Sequence, residues 1–226
     1  MKKHIVFDLG AVLLSWHPQQ MLMREVPHLA PDEQRAAHWA REIFQNYTGD
    51  WGEFDRGTVS VSALVQRITT RTGLAAADVL KVVDAVPREL QPLADSVALL
   101  HRLGDAGHTL HYLSNMPLPY AQILEKRDAF FGRFQSGVFS CRVHHNKPEA
   151  EIYRLAAGRF GRAPQDLVFI DDQAANVAAA QAQGWCALQF HNATQAAAAL
   201  SEKGWIDPGL QEQPQQAVNA IDRGTQ

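Results

Sequence analysis

Four short apolar runs, each ending at a polar or small residue, constrain the fold of this chain more than any other feature. They span residues 4–7, 110–113, 168–170 and 187–190. Stretches at helical spacing separate the last three, among them residues 149–160 and 174–183. Gly161 and Gly184 follow these two stretches, as glycines at helix C-termini do. Short strands that alternate with amphipathic helices are typical of βαβ units, so the sequence predicts an α/β, Rossmann-like fold with a doubly wound parallel sheet.

The stretch from residue 15 to residue 88 departs from this alternation. Its apolar residues recur at helical spacing near 21–23, 38–44 and 61–68, with no convincing buried strand. We therefore predict a helical cap over residues 15–88, inserted after the first strand and lying over the carboxyl edge of the sheet. Residues 1–14 and 89–205 would form the catalytic core, with Pro87 and Pro92 bracketing the return to it. The Gln- and Pro-rich residues 206–226 predict a flexible tail.

Composition argues against several classes of function. A formal charge of −3 and a pI near 6.3 provide no basic surface for nucleic acid. No apolar stretch is long enough to span a membrane, and the apolar run after Met1 stops at Asp8, too early for a secretory signal. Cys141 and Cys186 follow no metal spacing and predict reduced, packed thiols. We expect a cytoplasmic protein, monomeric or weakly homodimeric, without nucleic-acid or membrane partners.

The predicted strands and the loops after them place polar groups of different kinds at one edge of the sheet. These groups are Asp8, the pair Ser114 and Asn115, Lys147, and the pair Asp171 and Asp172. The carboxyl ends of parallel strands open onto one crevice, so we expect the groups to meet there. The set suits phosphoryl transfer: Asp8 as the nucleophile, with Asp171 or Asp172 helping it to bind Mg²⁺. Ser114, Asn115 and Lys147 would then contact the phosphoryl oxygens.

These motifs, in this order, resemble those of the haloacid dehalogenase superfamily, in its subgroup with a helical cap after the first strand. The residues that carry the resemblance are Asp8 in Phe-Asp-Leu-Gly, Ser114-Asn115, Lys147-Pro148, Asp171-Asp172 with Asn176, and Trp51 with Phe54-Asp55-Arg56-Gly57 in the cap. Roughly residues 4–190 are covered, and four motifs in order are far more specific than one. We expect Trp51 and Phe54 in the core of the cap and Arg56 in a surface salt bridge.

The resemblance implies a Mg²⁺-dependent phosphatase that acts on a small-molecule phosphorylated substrate through an aspartyl-phosphate on Asp8. The family binds its metal through the nucleophile, a main-chain carbonyl and a late carboxylate, which correspond to Asp8, Gly10 and Asp172. Asp171 is the other candidate metal ligand. Lys147 would act in catalysis and in phosphate binding. Asn176 would either order this metal site or only occupy its helix.

Gly10 is a departure from the family pattern. Most phosphatases of the superfamily carry a second Asp there, which protonates the leaving oxygen and then activates water. General acid catalysis contributes about 10²–10⁴-fold, so its loss should most affect substrates with poor leaving groups. Family members with this Asp-Leu-Gly variant include sugar-1-phosphate phosphatases. The resemblance therefore favours a sugar phosphate with a good leaving group as the substrate. His17, His144 and His145 are candidates for the missing acid, although each is expected to be an exposed loop histidine.

Two alternatives remain open at this point. A metal-free 2-haloacid dehalogenase would share the Asp nucleophile, the Ser-Asn pair and the Lys, and Tyr153 matches a position that those enzymes use. The acidic pair Asp171 and Asp172 disfavours it, because carboxylates without a cation would repel a substrate carboxylate and halide. A near-inactive relative that binds a phosphometabolite is motivated by Gly10, whereas retention of the nucleophile Asp8 argues against it.

Overall fold

The computed structural model describes residues 3–211, which build a five-stranded sheet in which every pairing is parallel. The strands are β1 (His4–Phe7), β2 (Thr109–Ser114), β3 (Ser136–Phe139), β4 (Leu167–Asp171) and β5 (Cys186–Gln189). Their order across the sheet is β3-β2-β1-β4-β5, which places β1 at the centre. The predicted α/β, doubly wound parallel fold is confirmed.

Helices flank this sheet and fill the long connection after β1. That connection contains α1 (Pro18–Glu25), α2 (Glu33–Phe44), α3 (Gly49–Asp55), α4 (Val61–Thr72), α5 (Ala76–Glu89) and α6 (Ala94–Asp105). The later helices are α7 (Leu118–Arg127), the short α8 (Ser140–Val143), α9 (Ala150–Phe160), α10 (Ala174–Ala182) and α11 (Ala193–Glu202). Within residues 3–211, each helix is too short or too polar to cross a bilayer. Of the predicted tail, Ile206 is buried and Pro208–Gln211 form a 3-10 turn, while residues 212–226 lie outside the described part.

The sequence reasoning missed β3 and placed the other strand ends within one residue of those observed. β3 has only four residues and includes Ser136 and Gly137, so it shows no clear alternation of apolar and polar positions. Gly137 is required here, because an added Cβ would lie 2.1 Å from the ring of Tyr112 on β2. Glycine disfavours strands in sequence-based prediction, but here Gly137 allows β3 to pack closely against β2.

Pro87, one of the two prolines predicted to bracket the return to the core, lies inside the last turn of α5, which ends at Glu89. A proline inside a helix has no N–H to donate to the carbonyl four residues earlier, here that of Val83. The Tyr120 hydroxyl donates to that carbonyl at 2.7 Å instead. This replacement partner, which comes from α7 and is distant in sequence, allows the helix to continue to Glu89.

The two faces of the sheet are covered by different apolar clusters. On β1, Ile5 and Phe7 belong to one cluster and Val6 to the other, as expected for a strand buried on both faces. The cluster that holds Ile5 and Phe7 continues without a break into the buried residues of α1–α5. Of the two free cysteines, Cys141 is buried in that cluster and Cys186 packs partly buried against it.

Candidate active site

The strand order places Asp8 and Asp171 at the carboxyl ends of neighbouring strands. From β1 the chain continues to β2 and β3 on one side, and it then crosses to β4 on the other side of β1. Such a reversal opens a crevice beside the strand ends, where ligands of α/β proteins bind. Asp8 follows β1 directly, and its N–H donates to the carbonyl of Ile170 at 2.9 Å. Main-chain pairing therefore fixes the nucleophile candidate at the switch point of the sheet.

Lys147 lies between these two carboxylates. Its Nζ is 2.8 Å from Asp8 Oδ1 and donates to Asp171 Oδ2 at 2.6 Å, and only 5% of the lysine is exposed. Burial alone would lower the pKa of Lys147, but the charges of Asp171 and Asp8 outweigh it and raise this pKa. Burial raises the pKa of Asp8, and Lys147 opposes that rise. The lysine is thus a permanent cation in the site.

Asp171 and Asp172 are adjacent in the chain but have different surroundings. Asp171 is fully buried, and it accepts from Lys147, the N–H of Gln173 and the side chain of Asn176. Asp172 is partly exposed and lines the cavity, and its Oδ2 accepts at 2.5 Å from the side chain of Gln173. Burial, followed by the charge of Asp171, raises the pKa of Asp172. Asp171 therefore anchors the site, and Asp172 keeps acceptor capacity for a ligand.

The three carboxylates form a cluster that fits a divalent cation. Asp8, Asp171 and Asp172 each offer an oxygen within 4.8 Å of the others. The single charge of Lys147 does not balance three carboxylates. Hard oxygen donors at this spacing are the ligands that Mg²⁺ takes in proteins. The donor set is thus suited to Mg²⁺. The ion would be bound by Asp8 and Asp172, and its positive charge would screen the negative charge of Asp171.

Asn115 secures the main chain that carries Lys147. Its Nδ2 donates to the carbonyl of Lys147 at 3.0 Å, and its Oδ1 accepts from the N–H of the same residue at 2.8 Å. The second hydrogen on Nδ2 is left for another acceptor. Ser114 is the buried last residue of β2, and both residues line the cavity. Their predicted contacts with phosphate stay predictions, while the clamp on Lys147 is a role that the sequence did not indicate.

Gly10 leaves open space in the loop after β1. A Cβ built at this position meets no atom within 4 Å, and its φ is not in the left-handed region. Neither backbone strain nor crowding therefore explains the glycine. The structure therefore has room for a side chain at position 10. Since Gly10 has none, this position offers no proton donor.

A cavity of about 260 Å³ lies above these groups, between the sheet edge and residues of α3, α5 and α7. Its walls are mainly aromatic and aliphatic: Trp16, Tyr47, Trp51, Val86, Leu90 and Tyr120. Three consecutive non-glycine residues, Gln45, Asn46 and Tyr47, have φ values of 48°, 51° and 63°. Such left-handed residues are strained and cluster at binding sites, and two of these three line the cavity. Phe54 packs between the rings of Trp51 and Tyr120, as predicted, whereas Trp51 lies both in the core and on the wall.

The end of α3 is attached to the core beside Lys147. Asn146 Nδ2 donates to the carbonyl of Gly52 at 2.7 Å, and the Ser140 hydroxyl donates to the carbonyl of Asp55 at 2.5 Å. Arg56 pairs with Glu149, one nitrogen lying 2.5 Å from Oε1, which confirms the predicted surface salt bridge. These contacts hold the C-terminal end of α3 in position next to the sheet edge.

Gly57 ends this attached segment. With φ at 79°, it lies so close to Cys141 that an added Cβ would be 2.8 Å from the Cys141 carbonyl oxygen. A side chain here would therefore lift the end of α3 away from the core. The Asp-Arg-Gly part of the sequence motif is thus a docking segment.

The histidines considered as replacement acids lie away from the lining of the cavity. His17 is paired with Glu89, and His145 with Glu149, at 3.3 and 3.1 Å. His144 Nδ1 lies 3.0 Å from the carbonyl of Arg56. Tyr153 is fully buried, and its hydroxyl donates to the carbonyl of Asn176 at 2.9 Å. None of these four side chains reaches the lining of the cavity.

Sequence reasoning missed three functional positions that depend on tertiary contacts. Asp55 is 4% exposed and lines the cavity, while Ser140 and Asn146 are the buried donors that attach α3. Asp55 did stand in a recognised motif, two residues before Gly57. An acidic residue directly after the aromatic Phe54 and two positions before a glycine was the available signal.

The fold and this site together define a class of protein. Residues 2–184 match the haloacid dehalogenase-like hydrolases, and the chain belongs to that family of enzymes. The chain is 27% identical to the sesquiterpene phosphatase astK of Aspergillus oryzae over 192 residues, which are 83% of this chain and 89% of that protein. It is 22% identical to the drimenol cyclase drtB of Aspergillus calidoustus, of which it spans only 34%.

Solved structures share the fold at low sequence identity. The enzyme bt-2542 of Bacteroides thetaiotaomicron, of the same family and in complex with magnesium and inorganic phosphate, has a TM-score of 0.68 and 20% identity, with 84% of this chain and 95% of that chain covered. An L-2-haloacid dehalogenase of Xanthobacter autotrophicus has a TM-score of 0.64 and 19% identity, with 93% and 86% covered. These likenesses establish the architecture only.

Proposed function

We propose that this enzyme is a Mg²⁺-dependent phosphomonoesterase that works through an aspartyl-phosphate on Asp8. The observation that carries the proposal is the cluster of the buried Asp8, Lys147 and Asp171 with the partly exposed Asp172 at the switch point of the sheet. Helices α1–α5 would serve as the cap that covers this cluster. The phosphatase relative supports the same reaction class.

Each side chain of the cluster has a task in this reaction. Asp8 attacks phosphorus, while Lys147 stabilises negative charge on the phosphoryl oxygens and opposes the rise that burial causes in the pKa of Asp8. Asn115 holds the Lys147 loop in position. Mg²⁺, held by Asp8, Asp172 and the Gly10 carbonyl, would reduce the repulsion between carboxylate and phosphate. Asp171 orients both Lys147 and Asn176.

The cavity wall favours an apolar alcohol as the leaving group. A sugar requires several hydrogen-bonding side chains, whereas the wall above the carboxylates consists mainly of aromatic and aliphatic groups. The sesquiterpene phosphatase relative agrees with an isoprenoid monophosphate of small size. The sugar phosphate that the Asp-Leu-Gly motif indicates is the competing substrate, and only an assay separates the two.

The dehalogenase alternative receives less support from the geometry. Three carboxylates within 4.8 Å of one another would repel the carboxylate of a 2-haloacid. Tyr153 is buried, its hydroxyl donates to the carbonyl of Asn176, and its side chain is not part of the cavity lining. We accordingly expect no chloride release from 2-chloropropionate.

The test is phosphate release from three kinds of monoester: farnesyl monophosphate, glucose 1-phosphate and para-nitrophenyl phosphate. We expect turnover with Mg²⁺, none with EDTA, and the highest kcat/KM for the farnesyl ester. Asp8→Asn removes the nucleophile and should abolish release. Asp95→Asn, an exposed aspartate in the first turn of α6, is the matched control and should leave activity unchanged.

Several outcomes would contradict the proposal. Activity that persists in Asp8→Asn, or that is indifferent to EDTA, would remove the aspartyl-phosphate or the metal from the mechanism. Chloride release without phosphate release would favour the dehalogenase. Turnover of glucose 1-phosphate alone would overturn the assignment of an apolar leaving group but not the phosphatase.

A further inference from the structure

Hydrolysis of an alkyl phosphate needs a proton donor that the loop after β1 does not provide. The leaving alkoxide of an unactivated alcohol is strongly basic, and general acid catalysis typically contributes about 10²–10⁴-fold. Gly10 has no side chain, and Lys147 is committed to Asp8 and Asp171. Asp172 belongs to the metal site. An acid must therefore come from another wall of the cavity, a conclusion that rests on the proposed phosphatase function.

Asp55 is a carboxyl group in such a position. It is 4% exposed, it ends α3, and it lines the same cavity as Asp8. Within residues 3–211 its carboxyl takes part in no hydrogen bond or ion pair, although its main-chain carbonyl accepts from Ser140. A buried carboxyl group without a partner is costly, so its retention calls for a reason other than stability.

The surroundings of Asp55 favour its protonated form. Burial raises the pKa of Asp55 well above the ordinary value, and the charge of Lys147 only partly opposes this. Tyr47, Tyr120 and Cys141 are the other titratable groups that it influences, and burial raises the pKa of each of them as well. These three are neutral at physiological pH, so Lys147 is the one charge that acts appreciably on Asp55.

We propose that Asp55 is the general acid and base of this enzyme, in place of the carboxylate absent at Gly10. As Asp8 Oδ bonds to phosphorus and the ester P–O bond breaks, the Asp55 carboxyl gives its proton to the leaving oxygen, which departs as the alcohol. In the second step Asp55, now a carboxylate, takes a proton from water. The water oxygen attacks phosphorus, the P–O bond to Asp8 breaks, and inorganic phosphate and the free carboxylate of Asp8 are released.

The docking of α3 explains how a residue of the cap can hold this position. Ser140 and Asn146 bond the main chain of the same short helix from the core side, next to Lys147. Arg56, the next residue, is joined to Glu149 and to the carbonyl of His144. The acid is therefore on a segment that is fixed relative to the nucleophile.

The test compares Asp55→Asn with the wild type on two esters that differ in leaving group. For an alkyl monophosphate we expect kcat to fall by about 10²–10⁴-fold, because the alkoxide must leave unprotonated. For para-nitrophenyl phosphate, whose leaving group needs no proton, release of para-nitrophenol in the first turnover should fall by less than about tenfold. Asp50→Asn in the same helix, paired with Arg71 and outside the cavity lining, is the matched control and should leave both rates unchanged.

Restoration at Gly10 is the second arm of the test. The space there admits a side chain, so Gly10→Asp in the Asp55→Asn background should recover at least tenfold in alkyl phosphate turnover. Equal losses on both esters in Asp55→Asn, with no recovery in the double variant, would overturn the assignment of Asp55. If the wild type releases phosphate from neither ester, or Asp8→Asn retains activity, the proposed function itself fails, and the role of Asp55 fails with it.

Discussion

Replacement of Lys147 by methionine tests the electrostatic reasoning about the site most directly. The ammonium group is buried between Asp8 and Asp171, at 2.8 and 2.6 Å. Methionine approximates its length without the charge and leaves two buried carboxylates facing each other. Breaking a buried ion pair by removal of one partner costs about 3–5 kcal/mol, because the remaining charge is uncompensated. For a protein of this size that corresponds to a fall in Tm of roughly 6–20 °C.

The pH dependence of this loss has a definite sign. The pKa of Asp8 is raised by burial and lowered by Lys147, so it rises further in the variant. A carboxyl group with a raised pKa in the folded state opposes folding once the pH exceeds its ordinary value of 3.8. Because this pKa is about 7 in the wild type, Asp8 is protonated in both folded proteins well below pH 7. Its contribution to the deficit of Lys147→Met should therefore grow as the pH rises above 7 and vanish on acidification.

Urea unfolding in EDTA, with and without added Mg²⁺, measures these effects. Mg²⁺ should narrow the deficit, because it supplies positive charge among the same carboxylates, while phosphate release falls by about 10²–10³-fold from the lost stabilisation of phosphoryl oxygens. Lys126→Met, at an exposed lysine of α7, is the control and should change the free energy of unfolding by less than about 0.5 kcal/mol. If the two variants unfold alike at neutral pH in EDTA, the charge balance assigned to Lys147 is wrong.

Two further predictions concern the supports of the site. Asn115→Ala removes both hydrogen bonds to the main chain of Lys147 and should lower the free energy of unfolding in urea by about 1–3 kcal/mol, so a change below about 0.5 kcal/mol would contradict the clamp. Asp55→Asn should be more stable than the wild type at neutral pH, because the raised pKa of Asp55 destabilises the native protein above its ordinary value of 3.8 by about 1.4 kcal/mol per pH unit until the native pKa is reached. Unfolding curves from pH 4 to pH 8 check this, and a difference independent of pH would refute it.

The arrangement at the sheet edge could be predicted from the sequence because it follows from topology. Asp8 and Asp171 end neighbouring parallel strands, and the loop of Lys147 opens onto the same edge, so their convergence needs no knowledge of side-chain packing. Strand β3 escaped prediction because Gly137 is there to accommodate Tyr112 on another strand. The continuation of α5 through Pro87 was equally hidden, since its support comes from Tyr120 in a later helix.

Asp55 shows the limit of reading function from local patterns. Its motif indicates a cap segment, but the direction of α3 depends on Ser140 and Asn146, which lie far along the chain and carry no signal of their own. If Asp55 on α3 is the proton donor, as proposed above, turnover of substrates with poor leaving groups depends on these contacts between α3 and the core. The pair of Arg56 and Glu149 is half-buried and keeps contact with solvent, whereas the hydrogen bonds from Ser140 and Asn146 are buried. The buried hydrogen bonds from Ser140 and Asn146 therefore hold the acid in place, and they link substrate preference to the seating of the cap.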